Sequence, residues 1–377
     1  MKIKILQQDL LPVLQAVSRS VGVRSTLPVL ANILIRTENN RLKLSATNLE
    51  VGIIKTVNTE VYEEGELTVP AKTFLDIIAS LTGETLEIES KSEQLKISTQ
   101  KFNATLNCIP ASEFPVIPIS SDKPILVNST VLLNTLPLIT FSAASDDGRP
   151  VLTGILTEIK KDSLEFVATD GFRLAHKHTK INPDTTKVDL KEKNNLRVLI
   201  PRRTFEEVAR LISEDSSGEE NIEISTSENQ NQMVFKIGDT QLSSRLIEGQ
   251  FPVWEKIVPQ KFENRTIIDR VELLKACKLA AVFSRSEANI IKISAFEKKI
   301  VLSSEAKEVG GQETQLEADT EGSEISIAFN SKYLIDILSV LACLQVSIEF
   351  SGNLSPALVK PIGEEGLEYV IMPIRLS

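Results

Sequence analysis

Apolar residues along this chain switch repeatedly between two periods. The windows Leu10 to Val21, Ser129 to Ala144 and Val271 to Phe283 place them three and four residues apart, which predicts amphipathic helices. Period-two runs follow each window: "NRLKLSA", "DSLEFVA" and "NIIKISAFEKKIVLSS", the signature of half-buried strands. A second helix is predicted at "VPAKTFLDIIASL", "IPRRTFEEVARLI" and "FNSKYLIDILSVL", where Pro70 and Pro201 suit a first helical turn. More alternation, in "TLEIESKSEQLKIST", "NIEISTSENQNQMVFKIG" and "LQVSIEF…LEYVIMPIRL", closes each cycle.

The cycle is written three times. Lys72, Arg203 and Lys332 occupy matching places in the second-helix motif, at offsets of 131 and then 129 residues. "LKLSATNLE" from Leu42 is echoed 122 residues later by "LEFVATDGF" from Leu164. "ASEFPVIP" around Phe114 is echoed by "EGQFPVWEKIVP" around Phe251. Concordant order and spacing imply an internal repeat. Three units are expected, at 1–123, 124–259 and 260–377. Each should carry two helices and many antiparallel strands, an α+β arrangement with the helices on one face of the sheets. Polar or glycine-rich stretches at Glu214 to Glu220 and Val309 to Gln312 are expected to be solvated hairpin connections.

A length of 377 residues suits two or three domains rather than one core. With 42% hydrophobic and 25% charged residues the composition is that of a globular protein, and the net charge of −9 argues against a simple basic nucleic-acid binder. No run approaches ~20 apolar residues, so no membrane span is expected. The N-terminal stretch lacks the pattern of a secretion signal. Cys108, Cys277 and Cys343 are far apart and odd in number, which points to buried, reduced thiols in the cytosol.

Chemistry is sparse. There is no phosphate-binding loop and no dinucleotide fingerprint. His176 and His178, the only histidines, could start a metal site, but no third ligand is evident and a solvated strand face is expected. "SDDGRP" (Ser145 to Pro150) reads as a turn capping a helix end. Asp170-Gly171 in "ATDGFRLA" could offer a catalytic carboxylate or turn a hairpin. The matching position is Asn48, an amide, which favours the turn, with Asp-Gly supplying positive backbone dihedrals. No cofactor, metal or catalytic residue is expected.

"ATDGFRLA", "EGQFPVWEKIVP", "SKYLIDIL" and the terminal "YVIMPIRLS", in this order and over the whole chain, resemble the bacterial sliding clamps, the β subunits of DNA polymerase III. The resemblance implies three clamp domains whose helices line a head-to-tail homodimeric ring, with the sheets outside. Such a ring encircles duplex DNA, confers processivity and has no catalytic activity. Implied partners are the polymerase III catalytic subunit, the clamp loader, and other polymerases and repair proteins that insert a short apolar peptide into a pocket. On the matching motifs that pocket takes Leu152, Thr169, Gly171, Phe172, Arg173 and Leu174 on one wall. Pro252, Lys256 and Ile257 form another part, and Asn330, Tyr333, Ala357, Met372, Pro373, Ile374, Arg375 and Leu376 the third-domain side. DNA-contacting positions are implied at Arg24, Arg202, Arg203 and Arg210, and by placement at Lys72, Arg149, Lys275 and Lys278. The dimer seam should involve Leu106, Val282 and Phe283. Phe172 stands where some relatives carry histidine, and Ala288 where some carry an aromatic, so the resemblance does not fix the exact peptide preference.

Elementary geometry accommodates such a ring. Twelve helices at ~9 Å spacing enclose a hole of ~24 Å, whereas the six of one chain leave only ~7 Å. A duplex on the order of 20 Å across fits the former alone. Counted over Gln7 to Gly22, Ala71 to Leu81, Asn128 to Ala144, Pro201 to Ser213, Asp269 to Arg285 and Asn330 to Ala342, the helices hold ten basic and seven acidic residues, a net of +3, which leaves −12 for the rest of the chain. A weakly positive lumen in a negative shell would guide DNA through the hole and away from the rim. Two other classes remain open on the residues alone: a monomeric repeat scaffold that never meets DNA, and an enzyme using Asp170 with His176 or His178.

Overall fold

The computed structural model describes residues 1–22, 27–120, 124–181, 195–227, 231–284, 289–306 and 310–375. Six α-helices lie among them: α1 Gln7–Ser18, α2 Ala71–Ser80, α3 Ser129–Ile139, α4 Arg202–Glu214, α5 Arg270–Ser284 and α6 Ser331–Val340. All strands pair antiparallel. Short polar side chains set three helix starts. Asn128 Oδ1 accepts the Thr130 N–H, Asp269 Oδ1 that of Glu272, and Asn330 Oδ1 that of Lys332, at 3.0, 2.9 and 3.0 Å.

Contacts divide the chain into two compact units. The first contains the described residues of Met1–Leu132 and Glu207–Leu246. It has a five-stranded sheet, in the order Glu60–Glu63, Lys2–Leu6, Thr85–Lys91, Gln94–Ser98, Asn103–Asn107. It also has an eight-stranded sheet, in the order Ile125–Asn128, Asn221–Thr226, Gln232–Ile237, Thr240–Arg245, Val51–Asn58, Arg41–Thr47, Asn32–Glu38, Glu66–Pro70. Helices α1 and α2 pack together, and Gln7 ties them by donating to the Ile78 carbonyl at 3.0 Å.

The second unit holds the described residues of Leu133–Pro183, Leu190–Glu206 and Ile247–Ser377. Its nine-stranded sheet runs Asn195–Pro201, Gly154–Lys160, Ser163–Thr169, Arg173–Lys180, Leu367–Ile371, Ala357–Pro361, Gln345–Phe350, Asn264–Asp269, Asp319–Gly322. A four-stranded sheet runs Gly310–Glu317, Lys299–Ala306, Ile290–Phe296, Ile325–Asn330, and α5 packs against α6. The division into two differs from the three sequence units for a plain reason: strands of neighbouring repeats share a sheet. Leu242 pairs with Ile53 in the eight-stranded sheet, and Leu174 with Val370 in the nine-stranded one.

Several local expectations need correction. The window Ser129 to Ala144 is helical only to Ile139, two residues beyond Pro137, and continues as a 3-10 turn at Thr140–Ser142. "SDDGRP" therefore does not cap the helix; Asp146 Oδ1 instead accepts the Gly148 N–H at 3.1 Å. Glu214 to Glu220 joins a helix to a strand rather than two strands. Gly310 to Gln312 belong to the strand Gly310–Glu317, and Val309 lies outside the described residues. Cys108 and Cys277 are buried, but Cys343 is only half-buried. No helix among the described residues is long and apolar enough to cross a membrane.

Candidate functional site

The strand pair Ser163–Thr169 and Arg173–Lys180 is joined by the stretch quoted above, and its turn is built by side chains. Asp170 Oδ1 accepts the N–H groups of Phe172 and Arg173 at 2.9 and 3.0 Å. The Thr169 hydroxyl donates to the Arg173 carbonyl at 2.6 Å and accepts the Gly171 N–H at 3.0 Å. Only Gly171 takes a positive φ, 92°. The expected tight turn with both central residues at positive φ is thus corrected to a longer one with a single left-handed residue. A Cβ at Gly171 would lie 2.6 Å from Arg149 Nη1. The positive φ favours glycine here, while the Arg149 guanidinium, at the end of a flexible side chain, could shift to make room.

Arg149 is exposed, and one nitrogen of its guanidinium donates to the Asp170 carbonyl at 2.6 Å and braces the turn. Arg173 is buried and fully engaged. It donates to Asp170 Oδ2 at 3.1 Å, to Asp336 Oδ2 at 2.6 Å and to the Phe141 carbonyl at 2.8 Å. Its guanidinium also lies 5.1 Å from the Phe141 ring centroid and 4.8 Å from that of Tyr333. Phe172 remains 56% exposed and stacks on Tyr333 at 6.4 Å. These side chains border a cavity of about 660 Å³ that also meets Arg202 and Lys332.

The C-terminal segment passes beside the turn. Met372 N–H donates to the Phe172 carbonyl at 2.9 Å, and Ile374 N–H to the Ala328 carbonyl at 2.8 Å. Met372, Pro373 and Ile374 are half-buried and Arg375 is exposed, while Leu376 lies outside the described residues. Leu174 packs with Leu156, Val167, Leu199, Trp254, Leu358 and Val370, flanked by Val151, Phe251 and Ile257. Leu174 is only 1% exposed and Leu152 6%, so these two lie in the core beneath the surface. The accessible apolar surface is Phe172, Pro252 and Val253, with Met372 and Pro373 in part. Ala357 is buried opposite Ile371, and Lys256 is exposed. Asn330 caps α6. Strand pairing and ring contacts thus bring Phe172, Arg173, Leu174, Tyr333, Ile257 and Met372 into one neighbourhood.

His176 departs from its expected solvated face. Its Nδ1 lies 2.9 Å from Glu368 Oε1 and its Nε2 3.0 Å from Glu165 Oε1, which leaves neither nitrogen for a metal. Among the described residues no group of three or more His, Cys, Asp or Glu could hold a metal ion.

Sequence models of the DNA polymerase III beta subunit match the chain in three consecutive parts: the N-terminal domain at residues 1–118, the central domain at 126–253 and the C-terminal domain at 255–375. The chain belongs to the DNA polymerase III β-subunit family. It is similar to the beta sliding clamp of Synechococcus elongatus, with 31% identity over 384 residues covering 100% of both chains. A Staphylococcus aureus beta sliding clamp is 31% identical over 369 residues, 95% of this chain and 94% of that one. The fold superposes on the Bacillus subtilis sliding clamp with a TM-score of 0.92 at 26% identity. A Pseudomonas aeruginosa clamp bound to griselimycin gives 0.91 at 29%, and both matches cover 100% of either chain. Sliding clamps are processivity factors and not catalysts, which fits the sequence's lack of catalytic machinery.

The basic positions expected of a clamp fall into different environments. Lys72 on α2, Arg203 on α4 and Lys275 and Lys278 on α5 are exposed. Arg202 is paired with Glu206 at 2.8 Å and Arg210 with Glu207 at 3.6 Å. Arg24 and Ala288 lie outside the described residues. Glu207 also receives Arg19 at 2.6 Å, and Arg19 reaches Glu214 at 2.9 Å, a cluster the sequence did not single out. For the expected clamp seam, Leu106 is half-buried on Asn103–Asn107, an edge strand of its sheet. On α5 Val282 is 57% exposed and Phe283 half-buried.

Sequence reasoning also missed Phe141, Trp254 and Asp336. The single tryptophan in "FPVWEKIVP" was the available signal for one of them, since a lone Trp beside a site motif marks a large packing anchor.

Proposed function

We propose that two copies of this chain close head to tail into a ring around duplex DNA. The polymerase III catalytic subunit, the clamp loader, and other polymerases and repair proteins are tethered by short apolar peptides lying against Phe172, Pro252 to Ile257 and Met372 to Leu376. The carrying observation is the turn at 169–173: Phe172 stands open on a base locked by Arg173, with the C-terminal segment bonded to its carbonyl. An exposed aromatic on a rigid, fully hydrogen-bonded base is the build of an anchor site for apolar side chains. The binding of griselimycin by a Pseudomonas aeruginosa relative supports a ligand site in this fold.

The three repeats, 1–123, 124–259 and 260–377, are the three clamp domains. Arg24, Lys72, Arg202, Arg203, Arg210, Lys275 and Lys278 face the DNA with few firm phosphate contacts, so binding is weak and salt-sensitive and topology retains the ring. Arg149 serves the peptide turn. The seam joins Leu106 of one copy to Val282 and Phe283 of the other. The clamp works in the cytoplasm, where buried thiols stay reduced; burial pushes Cys108 up to about 11 and Cys277 up to about 12. Loaded on nicked circular DNA, the protein should co-elute with it and be released on linearisation. A solution mass of one chain at micromolar concentration, or retention on linear DNA, would overturn the ring.

A further inference from the structure

The sheet face that carries the apolar cluster turns charged two residues further along each strand. Leu156 is followed by Glu158, Leu174 by His176, and Val167 and Val370 are preceded by Glu165 and Glu368. A chain of ion pairs crosses the strands. Arg197 meets Glu158 at 3.1 Å, Lys160 meets Glu158 at 3.4 Å and Glu165 at 3.1 Å, and His176 bridges Glu165 to Glu368. Carboxylates only accept, so both ring nitrogens of His176 must donate, which makes it an imidazolium. Burial opposes that charge, but the bonds to Glu165 and Glu368 outweigh it and raise the pKa to about 9. Lys160 stands behind Glu165, and the charge of Lys360 reaches Glu368. Beside Trp254 on its 3-10 turn, Glu255 and Lys256 are exposed.

The imidazole has one further neighbour. Its centroid is 4.3 Å from that of Trp254, tilted by 40°. Trp254 is buried in the cluster with Leu174 and Val370, and it opens the 3-10 turn Trp254–Lys256. A cation against an indole face is attracted by the ring quadrupole, most strongly when desolvated.

We propose that His176 is a positioning residue for the docking groove: locked between Glu165 and Glu368, its ring holds Trp254, and Trp254 holds the segment from Pro252 to Ile257 that forms one wall. This rests on the groove assignment made above. His176 touches no peptide; it acts through the tryptophan, by preorganising a wall that would otherwise be ordered at the expense of binding.

Because Trp254 is the only tryptophan, the full-length protein reports the contact directly. Its emission should change with pH through a transition near 9, as the quenching imidazolium is lost, and His176→Gln should abolish that transition. Glu368→Gln, which keeps an acceptor but removes a charge, should move it to lower pH. The binding probe is a fluorescein-labelled synthetic hexapeptide with adjacent Leu and Phe side chains, and Phe172→Ala, at an exposed position of the groove, is the groove control. His176→Gln at pH 7.5 should weaken the peptide about tenfold, and the wild-type affinity should fall toward the variant's by pH 10. If Phe172→Ala weakens the peptide while His176→Gln and alkaline pH do not, the positioning role is wrong and the groove stands. If Phe172→Ala has no effect, the groove assignment fails and takes this inference with it. Should His176→Gln not fold, the wild-type profiles decide alone: a peptide affinity that does not follow the alkaline change in Trp254 emission overturns the proposal.

Discussion

Asp170 and Asn48 do the same backbone work in successive repeats. Asp170 Oδ1 accepts the N–H groups two and three residues on, and Asn48 Oδ1 does so for Glu50 and Val51 at 3.0 and 2.8 Å. The neighbouring threonines match too: Thr47 donates to the Val51 carbonyl as Thr169 does to that of Arg173. The difference is that Asp170 also holds Arg173. Asp170→Asn should therefore keep the turn and lose only that pair, about 1 kcal/mol. Asp170→Ala should also orphan two N–H groups, about 2 kcal/mol or more. Urea denaturation of both variants checks the order.

Arg173 satisfies three separate acceptors while lying between two aromatic rings. Lysine is a point charge without the planar fork, so Arg173→Lys should leave Asp336 or the Phe141 carbonyl unpaired. A loss of about 2–3 kcal/mol is expected, with weaker peptide binding because Phe172 and Tyr333 rest on this base. Equilibrium unfolding together with peptide titration measures both.

His176 and Glu165 set a pH window for stability. Folding raises His176 from 6.5 to about 9, so its contribution is complete below about pH 6.5 and is lost as pH rises through 9. Bonding to His176 is the first cause that lowers Glu165 from 4.5 to about 2, so its contribution is present above about 4.5 and is lost as pH falls through 2. The stability gap between wild type and His176→Gln should be widest at pH 4.5–6.5, on the order of 2 kcal/mol after screening, and nearly closed by pH 10. Urea midpoints across this range test the prediction.

Removing residues 372–377 takes away the N–H that Met372 gives to Phe172 and the one Ile374 gives to Ala328. Peptide binding should fall more than about tenfold, while sedimentation shows the dimer unchanged. Unaltered peptide affinity would detach the C-terminal segment from the site.

Charge reversal should sort the α4 arginines. Arg203 and Arg210 are exposed, Arg210 within 3.6 Å of Glu207, whereas Arg202 is half-buried and pairs with Glu206 at 2.8 Å. Arg203→Glu should reduce the salt slope of DNA binding by about one phosphate's worth. Arg202→Glu should change it less and disturb the helix start instead. Equal slopes for the two variants would contradict this ranking.

Local period was a sound guide to the strands and to the second helix of each repeat. Those signals sit in contiguous residues, and Phe74, Phe205 and Leu334 land on buried helix faces as spacing predicts. What escaped notice depends on partners far along the chain. Nothing near His176 foretells Glu368, brought alongside by pairing of Arg173–Lys180 with Leu367–Ile371. Burial of Arg173 likewise follows from Asp336, which no spacing rule links to it. The turn at Asp170 was legible because its matching position carried Asn48, and its backbone form was misjudged because the side-chain bonds of Thr169 and Asp170 make a longer turn stable.

The nine-stranded sheet makes the later repeats dependent on each other. With Leu174 laddered to Val370, an excised copy of either motif would expose a raw strand edge, ready to stick to whatever strand came near.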